Sequence, residues 1–277
     1  MNILNIIDEI EKIDPEINER INPRRAAIKN MSSFGSKIAL SAIPLALGSL
    51  FKKAYGQSVP SVNDVLNFAL TLEYLEAEFY TTGVANAGLM SQGTAAGTGA
   101  LTVIRDHENQ HVAFLKSVLG SAAVSKPAFD FTAKGTFPTV FSNYDTFLAV
   151  AQVFEDTGVR AYKGQAPNLL QNKVVLTAAL NIHSVEARHA SHIRQMRRGR
   201  GGAAANIKPW ITGANDTGIG AAVNASFAGE DNITQAGVNI TSIMGVAGNI
   251  STSAATEAFD EPLTKEQILA IVAPFIA

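Results

Sequence analysis

Residues 101–119 read LTVIRDHENQHVAFLKSVL. Apolar residues recur in this stretch at steps of three or four, which is the period of an amphipathic helix. Glu108 and His111 interrupt the apolar stripe near its centre. Because residues three apart lie on the same helical face, these two side chains can reach one point. The pattern predicts a helix over residues 99–119 that carries a Glu-x-x-His pair on its buried face.

The same arrangement recurs on three further predicted helices. We expect these helices to span residues 62–84, 145–165 and 169–198. The last of them repeats the pair as Glu186 and His189, and the other two carry Glu73 and Glu155 in the middle of apolar stripes. A buried carboxylate is costly unless it is paired, protonated or bound to a metal ion. A single glutamate could lie in solvent at the edge of its stripe, but the recurrence on four helices favours a shared metal site.

The composition excludes several classes of site. The 277 residues include no cysteine, so disulfides, zinc–thiolate sites, iron–sulfur clusters and cysteine nucleophiles are excluded. The formal net charge is −2, whereas a nucleic-acid-binding domain normally carries a basic surplus. We therefore expect no nucleic-acid partner. A metal site in this chain must use nitrogen and oxygen ligands, and a set dominated by carboxylates suits iron or manganese.

One glutamate from each of two helices, with Glu-x-x-His from two others, is the ligand set of dinuclear carboxylate sites in four-helix bundles. On these motifs the chain resembles the ferritin-like superfamily, and within it the bacterial ferritin-like domain proteins that carry export signals. The resemblance covers residues 61–199, and the segment 258–264 (AFDEPLT) is also similar. It implies an all-α, ferritin-like four-helix bundle over residues 58–200. One long crossover is expected, since about 25 residues separate the second and third helices.

The resemblance also implies roles for individual residues. The implied metal ligands are Glu73, Glu108, His111, Glu155, Glu186 and His189. Glu73 and Glu155 would be the single-carboxylate ligands, and the other four would form the two Glu-x-x-His arms. Tyr80 lies seven residues after Glu73, where similar chains hold a tyrosine near the metal ions. The resemblance therefore makes Tyr80 the candidate catalytic residue.

Other residues on these helices have less specific roles. Glu76 shares the stripe of the first helix and is either a ligand or a hydrogen-bond acceptor beside the ligands. His107, His183 and His192 lie off the stripes and are interpreted as surface or packing residues. A ligating histidine needs a partner for its second ring nitrogen. Because His192 lies one turn beyond His189, it is the partner that we favour.

The first 57 residues have the order of an export signal. Arg24-Arg25 is followed by Ala27-Ile28-Lys29, by an uncharged run over 38–51 and by a small-x-small tripeptide at 54–56. The run is about 14 residues long, short of the roughly 20 that span a membrane. This order resembles a twin-arginine signal cleaved after residue 56 and predicts a periplasmic or cell-envelope location. The alternatives are a helix packed on the body of the protein and an uncleaved anchor, and only the anchor implies membrane contact.

Residues 201–277 form a segment of low charge after the predicted bundle. Within 201–256 there are only four charged side chains, so this part is expected to be either an ordered arm or a mobile linker. Trp210 favours local packing, and the spacing near Val238 permits a short strand. From Thr264 to Ile276, an N-cap and an apolar stripe predict a terminal helix that docks on the bundle or on a neighbouring subunit.

The predicted site suits redox chemistry. We expect two iron ions that oxidise Fe(II) or reduce dioxygen or peroxide, so metal ions and these oxidants are the expected partners. A manganese catalase with two manganese ions is the alternative enzyme. A non-catalytic envelope protein that binds metal is the alternative outside enzymes. The pattern is also compatible with a homo-oligomer.

Overall fold

Four long helices form the body of the computed structural model, which describes residues 60–277. They are α1 (Val62–Ala85), α2 (Ala95–Leu119), α3 (Tyr144–Gln165) and α4 (Lys173–Arg200). The predicted all-α bundle is therefore confirmed. The export signal predicted within residues 1–57 lies outside the described residues.

Side-chain caps set where the four helices begin. The N-cap residues are Ser61, Thr94, Asn143 and Asn172. Such caps accept hydrogen bonds from backbone amides that have no partner inside the helix. Asn172 accepts one from the amide of Val175, while residues 166–169 form a separate 3₁₀ turn that contains a proline. For this reason α4 begins at Lys173, later than the predicted start at 169.

Two glycines near helix ends have different roles. Gly120 follows α2 with a φ of 55°, a left-handed conformation that glycine adopts readily, and it ends the helix as predicted. Gly83 lies inside α1, which continues to Ala85, one residue beyond the predicted end at 84. A Cβ atom at Gly83 would lie 2.2 Å from the Phe147 ring. The glycine therefore permits close packing of α1 on α3 and does not end α1.

The helices form two antiparallel pairs, α1 with α2 and α3 with α4. The start of α1 lies beside the end of α2, where the Asn67 amide donates a hydrogen bond of 2.9 Å to the carbonyl of Ala122. The start of α3 lies beside the end of α4, where the Arg200 guanidinium pairs with the Asp145 carboxylate. Each pair places one Glu-x-x-His helix beside one helix with a single predicted glutamate ligand.

The connection between α2 and α3 runs the full length of the bundle. Hydrogen bonds from Tyr162 to Glu73 and from Tyr80 to Glu155 show that α1 and α3 are antiparallel. Consequently α2 and α3 are parallel. A helix of 25 residues, such as α2, is about 37 Å long, so the segment 120–143 must return over that distance. The predicted long crossover is confirmed.

Aromatic side chains hold this crossover on the bundle. The ring of Phe79 on α1 lies 5.5 Å from Phe131 and 5.6 Å from Phe141, both in the crossover. The same ring stacks at 4.6 Å on Phe147 of α3. Aromatic pairs at these separations add to the stability that their buried area provides. The main apolar core therefore includes the crossover as well as the helices.

The C-terminal arm contains two small hairpins and two short helices. The antiparallel strand pairs are β1 (Thr234–Gln235) with β2 (Val238–Asn239) and β3 (Met244–Gly245) with β4 (Gly248–Asn249). The helices are α5 (Thr252–Glu257) and α6 (Lys265–Val272). Thr264 caps α6 as predicted, but the helix is shorter than the predicted 264–276 because residues 273–275 form a 3₁₀ turn that contains a proline.

Arg160, a fully buried residue of α3, anchors this arm to the bundle. Its guanidinium donates hydrogen bonds to the main-chain oxygens of Ser226 and Ala228, each at 2.5 Å, and of Glu261 at 2.7 Å. Its Nε atom also lies 2.9 Å from the buried carboxylate of Glu230. The last residues of the chain hydrogen-bond to the crossover. The segment predicted as either an arm or a linker is therefore packed on the bundle.

No helix in the part of the chain that the structure describes is both long enough and apolar enough to cross a membrane.

Candidate metal centre

The six predicted ligand side chains meet in the middle of the bundle. Glu73 comes from α1 and Glu155 from α3, while α2 and α4 each contribute one Glu-x-x-His pair. All four glutamates are fully buried. The side chain of His189 is 6% exposed and that of His111 is 12% exposed. The helical periodicity placed each residue on an apolar face, and the bundle turns the four faces toward one another.

These side chains form two groups that share two members. One group consists of Glu73, Glu108, His111 and Glu186, and the other consists of Glu108, Glu155, Glu186 and His189. Within each group, one potential ligand atom from every residue lies within 4.8 Å of the others. Glu108 and Glu186 belong to both groups. A carboxylate has two oxygens, so each of them can serve two neighbouring ions at once.

Both imidazoles present the same ring nitrogen to the carboxylates. Nδ1 of His111 lies 3.2 Å from Glu73, 3.1 Å from Glu108 and 3.3 Å from Glu186. Nδ1 of His189 lies 2.8 Å from Glu108 and 3.3 Å from Glu155. Nδ1 is therefore the ring nitrogen that each histidine offers to any metal ion placed among these carboxylates.

Several buried polar atoms at this centre lie close to one another but make no hydrogen bond of good geometry among the described residues. They are Oε1 of Glu108, Oε2 of Glu155, both carboxylate oxygens of Glu186 and Nδ1 of His189. Buried polar atoms are nearly always hydrogen-bonded, so a cluster of unpaired ones calls for another partner. Ionised carboxylate oxygens accept but do not donate, so a cation placed among them would satisfy them. The residues present therefore fit a pair of divalent metal ions.

The electrostatics of the centre show how strongly the carboxylates interact. Burial raises the pKa of Glu73 to about 7. Burial also acts to raise the pKa of Glu108, but the close imidazoles of His111 and His189 lower it to about 2. The pKa of Glu186 is raised well above its usual value by burial and by the charge of Glu108. Metal ligands must lose their protons to bind, so the metal affinity is expected to rise with pH.

Two tyrosines cross the bundle symmetrically at this centre. Tyr80 on α1 donates a hydrogen bond of 2.5 Å to Glu155 on α3, and Tyr162 on α3 donates one to Glu73 on α1. Burial, followed by the nearby glutamate charges, raises the pKa of both phenols well above the usual value. They therefore remain protonated donors. Tyr80 was singled out from the sequence but the role of Tyr162 was missed. Its signal was present, since each tyrosine lies seven residues after the glutamate on its own helix.

His107 is a second residue that the sequence analysis missed. Its Nδ1 atom lies 3.0 Å from Nε2 of His189, and the two rings stack at 5.2 Å. A hydrogen bond at Nε2 holds the ring of His189 in the orientation that directs Nδ1 toward the carboxylates. His192, which we favoured for this role, is exposed. That prediction was wrong because the partner comes from α2, across the bundle, and not from the next turn of α4.

Glu76 is buried beside the centre but belongs to neither group of ligand atoms. A Cβ atom at Gly158 would lie 3.2 Å from an oxygen of Glu186 and 3.3 Å from an oxygen of Glu76. The glycine on α3 thus leaves room for both carboxylates. Burial and the neighbouring charge of Glu186 raise the pKa of Glu76 well above its usual value. The geometry favours Glu76 as a neighbour of the ligands.

Comparison with known families agrees with this architecture. Residues 61–198 match the family model of a ferritin-like domain. The matched range contains all four bundle helices up to residue 198 and all six predicted ligands. No curated protein matches the chain.

Proposed function

We propose that this ferritin-like domain holds two iron ions and oxidises Fe(II), with dioxygen or peroxide as the oxidant. The observation that supports the proposal is the pair of overlapping ligand groups that share Glu108 and Glu186. A mononuclear site would need only one such group. Four carboxylates also balance the charge of two divalent ions, which lowers the free-energy cost of burying those ions at the centre of an apolar bundle.

The chain's own residues would orient the ligands and keep water out. Iron bound at this centre would supply the Fe(II)/Fe(III) couple, by which electrons pass to dioxygen or peroxide. Tyr80 and Tyr162 hold one oxygen each of Glu155 and Glu73, so the other oxygen of each carboxylate is left for a metal ion. Tyr80 acts through Glu155 in this arrangement, which favours a positioning role over the catalytic role that the resemblance implies. His107 does the same for His189.

Manganese is the alternative metal. Carboxylate-rich sites suit Mn(II) as well as iron, and the ligand set here has four carboxylates for two imidazoles. With two manganese ions, the same centre would disproportionate peroxide as a catalase. The buried tyrosines and His107 would orient the ligands in the same way for either metal.

Metal loading under controlled oxidation separates these functions. We expect chelator-treated protein to bind two Fe(II) ions per chain under anaerobic conditions, because two groups of ligand atoms are present. Admission of dioxygen or peroxide should then convert the bound Fe(II) to Fe(III) faster than in protein-free buffer. The measurements are metal analysis by mass spectrometry and the rise of Fe(III) absorbance.

The competing functions give different results in the same experiment. Rapid release of dioxygen from peroxide by protein loaded with Mn(II), without Fe(II) oxidation by the iron form, would favour the manganese catalase. Stoichiometric binding of both metals without either reaction would favour a non-catalytic metal-binding protein. Binding of a single ion per chain would contradict the dinuclear site.

We also propose that the folded domain is exported. The support is the order of basic pair, apolar run and small-x-small tripeptide in residues 24–56. Replacement of Arg24 and Arg25 by lysine is expected to retain the protein in the cytoplasm, because a twin-arginine pathway requires the arginine pair. Fractionation of native cells and the mass of the mature N-terminus measure this. Unaltered export of the lysine variant would refute the twin-arginine signal and leave the metal proposal untouched.

A further inference from the structure

A pocket of about 200 Å³ lies among the four bundle helices, at the end where α1 begins. Only Tyr162 and Gln165 among the lining side chains carry a polar group, and the others are aliphatic or phenyl groups. The Tyr162 hydroxyl is hydrogen-bonded to Glu73, and the Gln165 amide oxygen accepts a hydrogen bond from Asn168. The pocket therefore offers no charged partner to a ligand.

The candidate metal centre lies about one helical turn from this pocket. On three helices, a residue of the pocket lies four positions from a residue of the centre. The pairs are Ala69 with Glu73, Leu115 with His111, and Ile182 with Glu186. Four residues advance an α-helix by about 6 Å. On the remaining helix, Tyr162 belongs to both places, since its ring lines the pocket and its hydroxyl holds Glu73.

Small side chains create the space, and exposed apolar ones surround its mouth. Four alanines contribute to the lining: Ala69, Ala161, Ala178 and Ala179. Phe114 and Val118 on α2 and Val174 on α4 are 41%, 46% and 81% exposed, so the mouth opens between these two helices. Protein interiors are normally packed with few voids larger than a water molecule. No side chain within residues 60–277 fills this one.

We propose that the pocket binds a small apolar organic molecule, of the size of a substituted benzene, and holds it one helical turn from the metal centre. A dry apolar cavity of about 150 Å³ takes up benzene, and the present volume is somewhat larger. A water molecule occupies about 30 Å³ in the liquid, so the pocket is far larger than a molecule of two or three atoms, such as dioxygen, requires. A charged ligand would lose its hydration without gaining a partner.

Toluene is a suitable probe of the full chain. Calorimetric titration is expected to show one saturable toluene site per chain, whereas benzoate, which has a similar ring and a charge, should show none. Ala179→Phe would fill the pocket and weaken toluene binding by more than about tenfold, because two rings cannot occupy the same close-packed volume. Leu180→Phe, on the exposed side of the same helix, is the matched control and should bind toluene normally.

Two more variants separate loss of toluene binding from misfolding and from loss of the metal ions. Ala178→Leu adds a side chain smaller than phenylalanine to the same side of the pocket. It serves as the test if the Ala179→Phe variant does not fold. Glu108→Ala removes a predicted ligand that does not line the pocket, so it should retain toluene binding. This separates the pocket from the proposed function, since either can fail without the other. Unsaturable uptake of toluene, equal binding of benzoate, or normal binding by both pocket variants would overturn the proposal.

Discussion

Replacement of Glu108 by alanine is expected to abolish binding of both metal ions and, with it, Fe(II) oxidation. Glu108 belongs to both groups of ligand atoms, and its two oxygens face His111 and His189. Loss of a hydrogen-bond partner behind a ligand typically costs about 10- to 100-fold in metal affinity. Loss of a carboxylate that serves both ions should therefore exceed about 100-fold. Anaerobic titration with Fe(II), followed by metal analysis, measures the effect.

Asp106→Ala is the matched control for this prediction. Asp106 is a carboxylate on the same helix, two residues away, but its side chain is 53% exposed and pairs with Arg105 at the surface. The control should bind two ions with the affinity of the unmodified chain. Far-ultraviolet circular dichroism would show that Glu108→Ala keeps its helices. A folded Glu108→Ala protein that still binds two ions and oxidises Fe(II) would contradict the assignment of Glu108 as a shared ligand.

Arg160→Met is expected to lower the free energy of unfolding by about 3–5 kcal/mol, the usual cost of removing one partner of a buried ion pair. The substitution leaves the buried Glu230 carboxylate without its guanidinium, and three main-chain oxygens of the arm lose their donor. Burial already raises the pKa of Glu230 to about 7 with Arg160 present. Without the charge of Arg160, the pKa of Glu230 should rise further. Urea unfolding near pH 7 measures the loss of stability, and limited proteolysis should show cleavage in the arm before the bundle.

Two further variants test the cause of that loss. Arg188→Ala, on the exposed face of α4, should change the free energy of unfolding by less than about 0.5 kcal/mol. The double variant Arg160→Met with Glu230→Met should recover part of the stability, because no unpaired charge is then buried. Equal stability of Arg160→Met and Arg188→Ala would show that Arg160 does not anchor the arm.

Much of the bundle could be predicted because the information is local. Helical periodicity identified all four helices, and the observed bounds differ from the predicted ones by a few residues. The same periodicity placed Glu108 with His111 and Glu186 with His189 on buried faces, because residues three apart must share a face. The absence of cysteine restricted the ligands to nitrogen and oxygen donors without any knowledge of the fold.

The contacts between helices could not be obtained in this way. Periodicity identifies the face that a helix buries, but not how far one helix is shifted along another. That shift places His107 beside His189, as the hydrogen-bond partner that we had expected to be His192. It also places the Tyr162 hydroxyl beside the carboxylate of Glu73. It also decides that Glu108 and Glu186 are shared between two groups while Glu76 belongs to neither. Local patterns in the chain therefore specify which side chains are available to a metal centre, and only the packing of four helices against one another decides how they are combined.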